Sequence, residues 1–225
     1  ELRASLSSNN IDQAIEELEK NEKVARNQME QNNFALTKAR QNAALEFEKD
    51  LIQYLRPLGL LNIRFKVQLS PLKPNENGAD LITFLFSANP GNALAPLGEV
   101  ASGGEMSRFL LALKTVLSNL EGSKTLFFDE IDSGVSGRVS GAIAAMLKDL
   151  SINRQVFCVT HQPLIAAVAD HHFRVGKSVE SGRTKSDVIH LCDLKDRQLE
   201  LAELAGGDFA EARAYAASLL DHKAA

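Results

Sequence analysis

No run of about 18 uncharged apolar residues occurs in this sequence, so no membrane-spanning helix is expected. A secretory leader pattern is also missing. The start is polar and opens on Glu1 instead of Met, which points to a piece of a longer protein. Cysteine is scarce. Cys158 and Cys192 both sit in apolar, strand-like runs, so two buried, reduced thiols are expected, as in a cytoplasmic protein. There is no excess of basic residues: the net charge is −4, and no basic stripe with interleaved aromatics occurs. Composition therefore gives no direct nucleic-acid footprint. His171, His172 and His190 do not stand at metal-ligand spacing, which leaves them packing or surface roles. Finally, the phosphate-cradling loop Gly-x-x-x-x-Gly-Lys-Ser/Thr is absent. Its half match, Gly176-Lys177-Ser178, has His171 where the first glycine belongs and leads into no helix, so a basic turn is expected there.

What remains is 225 residues of ordinary globular composition, 44% hydrophobic and 24% charged, enough for one sizeable core. Ser7 to Asn10 read as a break, with Asn10 and Gln13 as a capping pair. Beyond it, Ile11, Ile15, Leu18, Glu22, Ala25, Met29, Asn32, Leu36, Ala39 and Ala43 recur in steps of four and three. This is a heptad seam with polar interruptions, and a stutter follows through Phe47 and Leu51. A helix from Ile11 to Arg56 spans roughly 70 Å, too long to bury its seam on one compact domain. Its partner is a second helix: either another copy or, better suited to so weak a seam, an antiparallel strand encoded before residue 1. Pro57-Leu58-Gly59 ends it. The division expected is an arm over 1–58 and a lobe over 59–225.

In the lobe, Asn62 to Leu69 alternate as a half-buried strand, Pro71 to Gly78 read as a turn, and Ala79 to Ala88 form a strand apolar on both faces and hence covered on both. Ala93 to Val100 read as an irregular approach, with Pro96 barring regular helix. Ser102-Gly103-Gly104-Glu105 is at minimum a capping box for a helix from Met106 to Asn119. Two glycines in a first turn weaken it by up to ~1 kcal/mol each. One compensating reason is close approach of a phosphate to bare N–H groups at the positive helix end.

Leu126 to Phe128 read as a central parallel strand, ending in Asp129 and Glu130. Neighbouring strand residues point to opposite sides and cannot share one job. Asp129 suits a Mg²⁺ shell through water, and Glu130 suits a general base or water-orienter. The plain alternative is an acidic turn capping the next helix. Ile131 to Gly137 are a Gly/Ser loop, a helix follows to Leu150, and Gln155 to Thr160 form another strand with His161 at its carboxyl end. Pro163 suits the first turn of a helix. Phe173 to Val175 and Val188 to Cys192 read as strands around a polar loop, Ser178 to Asp187; helices Lys195 to Leu204 and Phe209 to Leu220, separated by Gly206-Gly207, are expected on the sheet's flank.

Taken in order, Ala101-Ser102-Gly103-Gly104-Glu105-Met106-Ser107-Arg108, Phe128-Asp129-Glu130-Ile131-Asp132-Ser133-Gly134 and Val159-Thr160-His161 resemble the signature, Walker B, D-loop and H-loop of an ABC-type ATPase head. Glu105, with Ser107-Arg108 after it, is similar to the SMC-like chromosome maintenance and DNA-repair branch. The match covers most of residues 60–225. Ala101 departs from the Leu common in ABC signatures. The resemblance implies an α/β fold: the C-terminal lobe of a P-loop ATPase head, a mostly parallel sheet flanked by helices, preceded by a coiled-coil helix. It implies ATP and Mg²⁺ as ligands. The missing phosphate loop (Walker A) would lie on an N-terminal lobe of the same protein, and a second head would complete the site. By position, Ser102, Gly103, Gly104 and Glu105 would meet the γ-phosphate in trans, Asp129 would serve Mg²⁺, Glu130 would activate water, His161 would sense the γ-phosphate, and Asp132, Ser133 and Gly134 would couple the two sites. The function implied is ATP hydrolysis in DNA double-strand-break repair and recombination, cytoplasmic and nucleoid-associated, with DNA as partner, no membrane, and no activity for this chain alone. A non-catalytic coiled-coil interaction module is the alternative. A transporter ATPase fits less well with the long helix and with Glu105 to Arg108.

Overall fold

The structure, a computed structural model, describes residues 2–87, 91–100, 103–118, 120, 125–135, 137–180, 183–207 and 209–221. Ser102, the first residue of the expected signature, lies outside them, as do Ala88 and Ala101. The elements are α1 (Leu2–Leu55), β1 (Arg64–Asn75), β2 (Gly78–Ser87), β3 (Ala95–Pro96), α2 (Leu97–Val100), α3 (Gly103–Val116), β4 (Leu126–Phe128), α4 (Gly137–Ser151), β5 (Val156–Cys158), α5 (Pro163–Ala167), β6 (His172–Glu180), β7 (Arg183–Leu191), α6 (Leu194–Leu204) and α7 (Ala210–Asp221). Two compact units result: Glu1–Glu48 with Lys66–Leu85, and Lys49–Phe65 with Phe86–Ala225.

In the first unit, α1 runs unbroken through the break expected at Ser7 to Asn10. No Gly or Pro stands between Leu2 and Leu55 to interrupt the ladder, and weak local preferences are overridden. The heptad seam stays open, with Ile11, Ile15, Leu18 and Met29 exposed. The face that packs within the unit lies mostly one residue along, at Thr37, Arg40, Ala44 and Glu48, joined by Phe47 of the stutter. Thr37 Oγ1 donates to both Asp80 carboxylate oxygens at 2.8 and 2.9 Å. Arg40 donates to Asp80 Oδ2 at 2.9 Å and to the Asn77 carbonyl at 2.7 Å. Phe47 meets Phe84 at 6.0 Å between ring centroids, and the Val67 N–H donates to Glu48 Oε1 at 2.7 Å. The Arg40 and Thr37 hydrogen bonds hold the Asp80 carboxyl below its ordinary range.

The β1–β2 hairpin corrects two expectations. Strand β1 continues through Pro71 and Pro74, where a turn was expected; only Glu76 and Asn77 separate the strands. Strand β1 lies at the edge of the order β1-β2-β3, the position in a sheet where proline is tolerated. Nor is β2 covered on both faces: Leu81, Ile82 and Phe84 are exposed, and its hydrophobic burial is confined to Phe86 near the C-terminal end. The β1–β2 hairpin leans on one helix within its unit, which gives too little surface to bury both faces.

In the second unit, α1 closes as expected, with Gly59 at φ 86° and the Leu58 and Leu60 N–H groups returning to the Leu55 carbonyl. Phe109 of α3 packs against Phe65 and Phe86, at 5.7 and 6.1 Å between centroids. Leu51, Leu55, Leu58, Leu111 and Ile143 are fully buried in the same unit. Ala93 to Val100 hold the two-residue β3 and the one-turn α2.

The expected mostly parallel sheet is replaced by small mixed sheets. Strands β4 and β5 pair in parallel, in register Leu126↔Val156, Phe127↔Phe157 and Phe128↔Cys158. Strands β1–β2, joined by two residues, and β6–β7 are antiparallel. Strand β4 also differs from a covered central strand: Leu126 and Phe128 are buried, while Phe127 is 67% exposed beside Phe157 and Val159, also exposed. Strands β6 and β7 pair from His172↔Leu191 to Glu180↔Arg183, straight through the loop expected over 178–187. Gly176, Lys177 and Ser178 therefore lie in a strand, neither a phosphate loop nor a turn. Helices α6 and α7, stopped and restarted at Gly206-Gly207 (φ 121° and 129°), pack on α5 through Ala166, Ala167, Leu201, Ala202, Ala212 and Ala216. Pro163 opens α5 as expected. The cysteines are free but not both buried: Cys158 is half-buried and Cys192 exposed, since each stands at a sheet margin. Burial, with Asp132 and Asp129 nearby, pushes the Cys158 thiol up to about 12.

Candidate functional site

Gly103, Gly104 and Glu105 form the first turn of α3, so their N–H groups belong to the unsatisfied positive end of a 14-residue helix. That turn lies against the loop that follows β4. A Cβ placed on Gly103 would stand 3.8 Å from Glu130 Oε2, and one on Gly104 would stand 3.2 Å from the Ser133 carbonyl oxygen. The absence of side chains at Gly104 is thus used for close packing within the lobe as well as leaving the helix end bare.

Asp129 and Glu130 leave the end of β4 exposed to solvent. The Glu130 N–H donates to Asp129 Oδ1 at 3.0 Å. Among the described residues, Glu130 is the one non-glycine at positive φ, 55°. Strain of this kind persists only where the surroundings enforce it, and it concentrates at working sites. The chain then turns: the Ser133 N–H donates to the Glu130 carbonyl at 3.2 Å, with Gly134 at φ 69°. Ile131 and Asp132 point inward and are buried.

Asp132 is the hub of the arrangement. Its Oδ2 accepts from the His161 N–H at 2.9 Å, lies 3.3 Å from His161 Nδ1, and accepts from the Thr160 hydroxyl. Thr160 Oγ1 in turn accepts from the Gln162 N–H at 3.0 Å. One buried carboxylate therefore fixes the chain at the end of β5 and presents the His161 ring, 67% exposed, toward solvent. On the other side, the Ser107 hydroxyl donates to the Asp129 carbonyl at 3.1 Å, and Arg108 Nη1 donates to the Ser133 carbonyl at 3.1 Å. Burial holds the Arg108 guanidinium below its ordinary value, opposed by Glu105.

The structure thus brings together Gly103, Gly104, Asp129, Glu130, Asp132, Ser133, Gly134 and His161. Glu105 shares the first turn of α3, and Ser102 lies outside the described residues. Sequence reasoning gave no role to Ser107, Arg108 or Thr160. A signal was available for Arg108: it stands four residues after Gly104, on the same helix face. A cleft of about 150 Å³ between α3 and β4, lined by Ser107, Lys114, Phe128 and Asp129 among others, is smaller than the ~300 Å³ lower bound for ligand pockets. The larger cavity, about 650 Å³, is lined by Lys49, Ile52, Gln53, Arg56, Pro57 and Leu61 and shares no residue with these groups.

The chain is 48% identical over 206 residues to the DNA repair protein RecN of Synechocystis, covering 84% of this chain and 35% of that protein. It is a RecN homologue. The RecN of Halalkalibacterium halodurans is 39% identical over 201 residues, again 87% of this chain and 35% of the relative. The chain thus spans about a third of the length of the curated relatives it matches. The Smc head domain with a coiled coil and joint from Pyrococcus yayanosii superposes with a TM-score of 0.53 over 74% of this chain and 29% of that one, at 21% identity, which establishes a shared fold. No protein-family model matches.

Proposed function

We propose that this chain is the C-terminal part of an ATP-hydrolysing, SMC-like head acting in DNA double-strand-break repair and recombination, with residues 1–58 as a coiled-coil arm and 59–225 as the lobe. The observation that carries the reading is the single hydrogen-bonded loop after β4. It joins a strained carboxylate at a strand end, a bare helix N-terminus and a strand-end histidine. Ser102, Gly103, Gly104 and Glu105 meet the γ-phosphate of a nucleotide held by a second head. Glu130 orients and deprotonates the attacking water on the nucleotide held by the lobe's own N-terminal partner, which carries Walker A. His161 contacts the γ-phosphate, and Asp132 to Gly134 connect the two sites.

Among the described residues no group of three or more His, Cys, Asp or Glu could cage a metal. A lone exposed Asp129 fits the way Mg²⁺ is held in nucleotide sites, by one or two carboxylates with substrate phosphates and waters. Bound there, Mg²⁺ would neutralise charge on the phosphates. The exposed face of Phe127, Phe157 and Val159 supports an N-terminal lobe as partner. No described helix is long and apolar enough to cross a membrane, which is compatible with a cytoplasmic, nucleoid-associated protein. DNA as partner rests on the relatives' role in repair.

The test is Glu130→Gln in the complete protein. ATP binding is expected to persist while turnover falls ~10²–10⁴-fold, the range for a removed general base. Normal turnover would remove Glu130 from catalysis and return the chain to the non-catalytic, coiled-coil reading, which its open heptad seam also fits.

A further inference from the structure

We propose that Arg108 is a positioning residue for hydrolysis: it locks the first turn of α3 to the loop after β4, so that a nucleotide seated at that helix end sets the geometry of Glu130 and, through Asp132, of His161. This rests on the reading above. The helix is joined to the loop at two points, Ser107 Oγ to the Asp129 carbonyl and Arg108 Nη1 to the Ser133 carbonyl, each 3.1 Å. These carbonyls flank Glu130, whose own carbonyl accepts from the Ser133 N–H. A shift of α3 therefore pulls on both sides of the strained residue. Asp132, next to Ser133, carries the same constraint to Thr160 and His161.

Its place beside Gly104 ties this arginine to the helix end itself. A Cβ on Gly104 would lie 3.3 Å from Arg108 Nη1 as well as 3.2 Å from the Ser133 oxygen, so the contact needs the signature glycine. Arg108 is 9% exposed, so its bond to the Ser133 carbonyl is made largely away from water, where loss of the donor leaves that carbonyl short of a partner.

The experiment compares Arg108→Met, Arg108→Lys and Glu130→Gln in the complete protein, reading ATP affinity, kcat and thermal midpoint. Arg108→Met is expected to bind ATP within about twofold of wild type while kcat falls ~10–100-fold, the scale of a small misplacement of catalytic groups. Arg108→Lys, which keeps one donor for the Ser133 carbonyl, is expected to recover part of that loss. An Arg108→Met protein that folds and turns over within twofold of wild type overturns the proposal. So does a loss that Lys does not relieve at all. If Arg108→Met does not fold, Arg108→Ala, which lets water reach the Ser133 carbonyl in place of the guanidinium, carries the test, and unchanged kcat there overturns it as well. Glu130→Gln separates the two claims. If it stays active the catalytic reading fails; if it is inactive while Arg108→Met is normal, only the positioning role fails.

Discussion

Glu130 stands in a backbone conformation that glycine adopts at little cost and other residues do not. Its place at φ 55° predicts an inverted preference at that position. Glu130→Gly should be more stable than Glu130→Ala by roughly 1 kcal/mol, measured by denaturant unfolding, while both lack hydrolysis in the complete protein. Sequence alone could place the carboxylate at a strand end. It could not show the strain, which is imposed by the turn that returns the Ser133 N–H to the Glu130 carbonyl. Cys158 offers a second residue-scale test. Its thiol is pushed up to about 12, so the reactive thiolate is a minute fraction at pH 8. Mass mapping after brief alkylation at pH 8 should find Cys192, which is exposed, modified and Cys158 intact. Equal labelling would contradict the burial assigned to Cys158.

Among the elements, the β1–β2 hairpin is held to α1 by Asp80, a side chain 7% exposed. Because the folded carboxyl is held below its unfolded value, its contribution is present above about pH 4 and lost as pH falls through the folded value. Asp80→Asn should therefore weaken protection of the hairpin amides at pH 7, and the difference from wild type should shrink as the pH is lowered below about 4, as hydrogen exchange would show. Gly78→Ala should loosen the same hairpin, because its Cβ would meet Leu36 Cδ2 at 2.8 Å at φ 107°. The hairpin also shows where sequence legibility ended. Alternation revealed the first strand and an apolar run the second, but Pro71 and Pro74 looked like punctuation because an edge position is invisible to local pattern. The packing face of α1 was hidden in the same way: Thr37 and Arg40 are polar and pack through Asp80, whereas the conspicuous apolar seam stays open at Ile11, Ile15, Leu18 and Met29. Helices α3 to α7 were legible to within a few residues, since their caps, Pro163 and the Gly206-Gly207 stop are local signals.

At the scale of the whole molecule, β4 ends in two exposed carboxylates and leaves Phe127, Phe157 and Val159 open on one face. The lobe brings the loop, the helix end and the histidine together, and among the described residues the cleft beside them, about 150 Å³, is below nucleotide size. Both facts agree with a site completed by other surfaces, and with a chain that spans about a third of its RecN relatives. That completeness can be measured directly by ATP hydrolysis of this chain alone, of the N-terminal lobe alone, and of the two mixed, with and without DNA. Each part alone should be inactive, and mixing should restore turnover that Glu130→Gln in this chain abolishes. Hydrolysis by this chain alone, or restored turnover indifferent to Glu130→Gln, would contradict the account.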